Sequence, residues 1–398
     1  MKHRILFVDD EPAVLSGLRR TLRTLSADWD MTFVESGARA LELMAQQPFD
    51  VVISDMMMPG MNGAELLNEV MRRHPKTIRL ILSGHADRDL ILKCVGSTHQ
   101  CLSKPCDGAV LQATLRRVIA LEASLESEAI KRLVTRLEYL PSIPALYGEL
   151  VALLQAPETP VEEVARIVER DPAMTAKVLK LVNSAFFGLS RQVSSLPDAC
   201  GYLGLDTLRS LVLSLQTFSQ FQSRKLGGIE LEPLWRHSLR TAQAAKRIAQ
   251  RQAAATEIVD EAFVAGLLHD VGKLILAANC VAEYEQALRQ AREKPEDLVE
   301  AERAVFVCDH ADVGGYVMGL WGLPASVVEA IALHHAPSRS HSEGFDPLTA
   351  VHAANALVQE RDGPTHSILS RGLDLQHFQK LDLAHRLETW RQEVRNTP

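Results

Sequence analysis

Five short apolar runs, each closing on a polar or acidic residue, punctuate the first hundred positions. They are "RILFVDD", "MTFVES", "FDVVISD", "TIRLILSG" and "QCLSKP". The stretches between them, such as "PAVLSGLRRTLRTL", "GARALELMAQQ", "NGAELLNEVMRR" and "DRDLILKCVG", have helical apolar spacing, and a fifth helix starts near Asp107. Runs this continuously apolar suit strands buried on both faces. Strands that alternate with amphipathic helices close into one architecture, an α/β doubly wound five-stranded parallel sheet. In such a sheet the ligand sits at the carboxyl ends of the strands.

The pattern then changes. From Asp107 to Arg136 the spacing reads as one long helix, with Leu111, Leu115, Val118, Leu125 and Ala129 on a seam that Glu122 interrupts. Leu133, Leu137 and Leu140 continue it one position out of phase. This helix either pairs with a second copy as a short coiled coil, giving a homodimer, or packs onto its own two domains. After "LPSIP" only helices are expected. "DPAMTAKVLKLVNSAFF" starts with Asp171 as a cap and Pro172 at the first helical position. Further helices are expected over Leu234–Arg251, Glu257–Ala278, Ala311–Gly319, Ala325–His335 and Leu348–Arg361. The chain is therefore multidomain, and its 398 residues, 46% apolar, can give each part its own core.

A formal net charge of −7 without a basic stripe argues against DNA or anionic membrane as partners. No apolar run approaches the roughly eighteen residues of a membrane span. The N-terminal run is too short for a signal-peptide core. Six scattered cysteines without a C-x-x-C pair suit reduced thiols and a cytoplasmic setting.

Asp9, Asp10 and Asp55 each end an expected strand. Three carboxylates at one sheet edge repel one another unless a hard cation such as Mg²⁺ joins them. The backbone carbonyl near Met57, in "DMMMPGMNG", is a further candidate ligand. Ser83 ends the fourth strand and Lys104 the fifth. A hydroxyl and an ammonium facing a carboxylate nucleophile are what a transferred phosphoryl group requires.

With these residues in this order, positions 1–120 resemble a response-regulator receiver domain, whose fold is flavodoxin-like. The resemblance implies that Asp55 takes a phosphoryl group from a cognate histidine kinase. It also implies a cis Lys104-Pro105 bond. Receivers usually carry Tyr or Phe where "HQCLSKP" has Cys101, which removes the usual aromatic switch.

In the helical part, "HDVGK" places His269 and Asp270 side by side with Lys273 one turn on, where it would face phosphate oxygens. His237, His310, His334 and His335 lie in helical contexts around it. Imidazoles with a carboxylate suit Mn, Fe or Zn ions. The set resembles the HD superfamily of metal-dependent phosphohydrolases. That resemblance assigns His237, His269 and Asp270 to one metal, and His310, His334 and His335 to a second. The late Asp of that pattern is Asn355 here, a poorer ligand. "LPSIPALYGELVALL", "DPAMTAKVLKLVNSAFFG", "LPDACGYLGLDTLRSLVL" and "HADVGGYVMGLWGLPASVVEAIALHH" are similar to the HDOD domain, an HD-related output module regarded as non-catalytic. The HD-GYP branch would have a Gly-Tyr-Pro loop where this chain runs "APSRSHSEGF".

These features divide the chain into a receiver (1–120), a linker helix (121–138), an all-α HD-like HDOD domain (139–362) and a tail (363–398) with one or two helices. The leading expectation is a phosphorylation-dependent two-component regulator whose output acts through an unknown protein partner. The rival expectation is a receiver-gated metal-dependent phosphodiesterase, with a cyclic dinucleotide among its candidate substrates. Trp235, Trp321 and Trp390 are expected to anchor cores or interfaces. His341, His352, His366, His377 and His385 read as surface or packing residues.

Overall fold

The computed structural model describes residues 2–23, 29–83, 97–104, 108–124, 159–183, 192–204, 228–293, 298–362 and 372–395, with isolated positions between them. Strands β1 (His3–Val8), β2 (Trp29–Val34), β3 (Val51–Asp55), β4 (Ile78–Ser83) and β5 (Gln100–Ser103) form one parallel sheet in the order β2-β1-β3-β4-β5. Ile5, Leu6, Val51, Val52, Ile53, Leu80 and Ile81 are fully buried, as strands covered on both faces must be. The register pairs Asp55 with Leu82 and Ser83 with Ser103, which brings the polar strand ends to one edge.

Around the sheet lie α1 (Pro12–Thr21), α2 (Gly37–Gln46), α3 (Gly63–Arg73) and α4 (Gly108–Ser124). Ser36 caps α2, and Asn62 with Glu65 forms a capping box on α3. The helix expected from "DRDLILKCVG" falls outside the described residues. On α4, Leu111, Leu115 and Val118 are fully buried within the single chain, so this part of the seam packs onto its own domains. The continuation through Leu125, Ala129, Leu133, Leu137 and Leu140 lies outside the described residues.

The second part is helical: α5 (Val161–Val168), α6 (Pro172–Val182), α7 (Leu231–Arg251), α8 (Thr256–Leu268), α9 (Val271–Asn279), α10 (Val281–Glu293), α11 (Leu298–Phe306), α12 (His310–Leu320), α13 (Ala325–Leu333) and α14 (Pro347–Asp362). Asp171 caps α6, its Oδ1 accepting from the amides of Ala173 and Met174. The single helix expected over Glu257–Ala278 is two helices, broken at Asp270, whose φ −98 and ψ 8 leave the helical path. Periodicity could not show the break, because both halves carry apolar residues nearly all round. Helices α10 and α11 were not expected from the sequence, and they supply a buried acid to the site.

Beyond α14, α15 (Leu375–Lys380) and α16 (Leu387–Arg395) fold back onto the bundle. Trp390 is 1% exposed and meets the rings of Phe345 and Phe378. Arg251 pairs with Glu393, and Arg361 donates to the Val394 carbonyl. Trp321 is also buried, while the side chain of Trp235 lies outside the described residues. None of the described helices is long and apolar enough to cross a membrane.

Candidate functional site

At the carboxyl edge of the sheet, carboxylate oxygens of Asp9, Asp10 and Asp55 lie within 4.8 Å of one another. Lys104 Nζ bridges two of them, at 2.7 Å from Asp9 Oδ2 and 2.5 Å from Asp55 Oδ1. Burial raises the Asp55 carboxyl above its ordinary range, and Lys104 opposes that shift. Burial would lower Lys104, but its bonds to Asp55 and Asp9 outweigh it and keep the ammonium charged. Ser83 is fully buried at the end of β4, and its carbonyl accepts from the Lys104 amide. Met57 is 57% exposed beside Asp55. Pro105 and the Cys101 side chain fall outside the described residues. The three carboxylates fit a hard cation such as Mg²⁺.

The second site lies where α8 ends. His269 is the residue that caps the C-terminal end of that helix, and its Nδ1 donates to the Gly266 carbonyl at 2.7 Å. That bond leaves Nε2 facing the pocket. His334 is held in the same way, Nδ1 to the Ile331 carbonyl at 2.8 Å. Asp270 is the hub: its oxygens lie 3.4 Å from His269 Nε2, 3.3 Å from His310 Nε2, and 3.9 Å from both His334 Nε2 and His237 Nε2. His335 Nε2 lies 2.9 Å from His310 Nε2. The glycine of "HDVGK" has a steric reason. A Cβ on Gly272 would lie 1.8 Å from the His310 carbonyl oxygen, so only glycine lets α9 start against α12.

All six residues proposed from the sequence as ligands therefore meet in one pocket, in two groups that share Asp270. His269 Nε2, Asp270 Oδ1 and His334 Nε2 are buried without a hydrogen-bond partner. Buried polar atoms without a partner are costly unless a ligand satisfies them. Burial pushes His269 down to about 3, and holds His334 and His335 well below the ordinary histidine range. The neutral imidazoles of His269 and His334, with unpartnered Nε2 atoms beside an ionised Asp270, fit a divalent transition metal. Asn355 is buried beside His237, its Oδ1 3.0 Å from His237 Nε2 and accepting from Gln359. Lys273 donates to Asp270 Oδ2 at 2.8 Å, so its ammonium neutralises the hub.

Sequence reasoning missed Glu302. It is fully buried on α11, and its Oε2 accepts from both the amide and Nδ1 of His310, at 2.9 and 2.6 Å. Its Oε1 accepts from the Tyr284 hydroxyl at 3.1 Å. Burial alone would lower His310, but Glu302 and Asp270 raise it to about 9. The available signal was an acid in register with Leu298 and Phe306, on the buried face of a helix. His352 and His377 are packing residues: His352 Nδ1 donates to the His334 carbonyl, and His377 Nε2 meets the Thr349 hydroxyl. His341 and His385 are exposed, and His366 lies outside the described residues.

Residues 5–116 match the family model of the response regulator receiver domain, and residues 140–337 that of the HDOD domain. An uncharacterized protein of Treponema pallidum is 25% identical over 63% of this chain and 48% of its own length. The hydrogenase transcriptional regulatory protein HoxA of Cupriavidus necator is 34% identical over 29% of this chain and 24% of its own. The chain thus spans about half or less of these relatives. The crystal structure of the MmoQ response regulator from Methylococcus capsulatus is 26% identical, covering 63% of this chain and 97% of that one, with a TM-score of 0.48.

Proposed function

Because this chain belongs to the response regulators, with a receiver domain followed by an HDOD domain, we propose that it switches an HDOD output through phosphorylation of Asp55. The observation that carries this reading is the Lys104 ammonium bridging Asp9 and Asp55 at the sheet edge. A histidine kinase is the donor the receiver implies. An Asp55 oxygen forms the new bond to phosphorus as the bond to the donor imidazole breaks. Lys104 then faces the phosphoryl oxygens, and Ser83 supplies a hydroxyl to them. Mg²⁺, held by Asp9, Asp10, Asp55 and the Met57 carbonyl, would neutralise charge on the transferred group. The added charge of roughly −1.5 to −2 biases the receiver between two arrangements.

The output is read as a contact module for a protein partner. Its pocket would hold Mn, Fe or Zn through His237, His269, Asp270, His310, His334 and His335. The orphaned buried atoms support ion binding. Hydrolysis finds less support, because the amide of Asn355 stands beside His237 where a carboxylate would serve a metal better. The test is Mg²⁺-dependent labelling of the full chain by acetyl phosphate, followed by intact mass. Wild type should take one phosphoryl group and Asp55→Asn none. Equal labelling of the two would sink the assignment.

A further inference from the structure

Strand β5 is an edge strand, hydrogen-bonded to β4 alone among the described strands. Its outer side is covered by the helical domain. Gln100, 6% exposed, donates from Nε2 to the Leu320 carbonyl at 2.8 Å, and its Oε1 accepts from Arg117 on α4 at 2.9 Å. Leu320 ends α12, so this carbonyl belongs to the last turn, where no helical amide can satisfy it. A receiver side chain thus caps a helix of the output domain. Lys180 on α6 strengthens the seam. Its Nζ donates to the Thr98 carbonyl at 2.7 Å and lies 4.7 Å over the Trp321 ring. Gly322, at φ +84, turns the chain away directly beneath Gln100.

The two ends of this connection are the two sites. Gln100 starts β5 and Lys104 follows its end, tied to Asp55 and Asp9. At its other end α12 begins with His310, which faces Asp270 and is gripped by Glu302. A helix of 11 residues spans about 16 Å and moves as one rod. We propose that β5 and α12 form one mechanical link, through which phosphorylation of Asp55 loosens the Gln100 cap and shifts His310 in the histidine pocket. The proposal rests on the receiver reading above and names the regulation of the output pocket. The Lys104 amide donates to the Ser83 carbonyl, so the ends of β4 and β5 are tied and a shift of one at the phosphorylated edge carries the other. With Cys101 in place of the usual aromatic, this backbone route needs no swinging ring. By thermodynamic reciprocity, whatever orders the pocket favours the capped arrangement.

Hydrogen exchange on the full, metal-stripped chain tests the link, with and without acetyl phosphate and Mg²⁺. Phosphorylated wild type should exchange faster at the amides of Trp321–Leu323 and at the His310 amide. Gln100→Glu keeps the acceptor for Arg117 but cannot donate to Leu320. Without phosphodonor it should already show exchange at Trp321–Leu323 raised about three- to tenfold, the worth of one hydrogen bond, with unchanged helical circular dichroism. Asp55→Asn should not respond to the phosphodonor. If Asp55 takes the label by mass while the His310 amide keeps its protection, the link is wrong. It is equally wrong if Gln100→Glu exchanges like wild type. If Asp55 takes no label, the receiver reading falls and the proposal with it.

Discussion

Glu302→Gln isolates the group that holds His310. The native carboxylate is fully buried and accepts three hydrogen bonds, two from His310 and one from Tyr284. A glutamine oxygen of the same size can keep at most part of that set, and it brings no charge. Native His310 sits at about 9 rather than 6.5. The difference corresponds to about 3 kcal/mol of preference for the charged imidazole. A raised histidine contributes stability that is complete below pH 6.5 and is lost as pH rises through about 9. Without Glu302, burial dominates and His310 should fall below 6.5. The variant should be less stable than wild type by about 1–3 kcal/mol at pH 6, because a buried charged pair is broken at near-constant volume. The gap should narrow toward pH 9. Urea unfolding of the metal-stripped chain at both pH values, with NMR titration of the His310 ring, reads both effects. A variant within about 0.5 kcal/mol of wild type at pH 6, or with His310 still titrating near 9, would refute the role given to Glu302.

Two further outcomes follow from the same region. His352 is held near 4 by burial while its Nε2 accepts from the Asp374 amide. The unfolded chain binds that proton first, so stability should fall by on the order of 3 kcal/mol as pH drops from 6.5 to 4. His352→Gln should flatten this slope in urea midpoints, and an unchanged slope would clear His352 of the effect. Asp270→Asn removes the one carboxylate common to both ligand groups. Calorimetric Mn²⁺ binding should weaken by at least the roughly 10–100-fold known for groups one layer further from a metal. Native affinity in this variant would count against a metal held by Asp270.

Much of this was legible because the relevant signals are local and periodic. Buried parallel strands leave apolar runs, and their ends mark the edge where Asp9, Asp55 and Lys104 meet. The histidines were readable as a set because few helices carry so many imidazoles on apolar faces. Other features depend on where helices cross. The break at Asp270 lies beside the close approach of Gly272 to the His310 backbone, and an apolar stretch carries no mark of it. Glu302 looked like one acid among many, since only burial on α11 gives its carboxylate meaning. Gln100 was likewise unremarked, because its partner lies 220 positions away.

The tail helices carry a practical consequence. Similarity to the HDOD family model stops at residue 337, yet Phe378, Trp390 and Val394 are almost wholly buried in the bundle. Inheritance and folding therefore draw the border of this domain in different places. A fragment cut at the family boundary would also lose α14, and one cut at residue 362 would uncover the surface that α16 shields. Such a fragment exposes fresh apolar area and invites self-association. Truncations meant to report on the output domain alone should therefore run to Arg395.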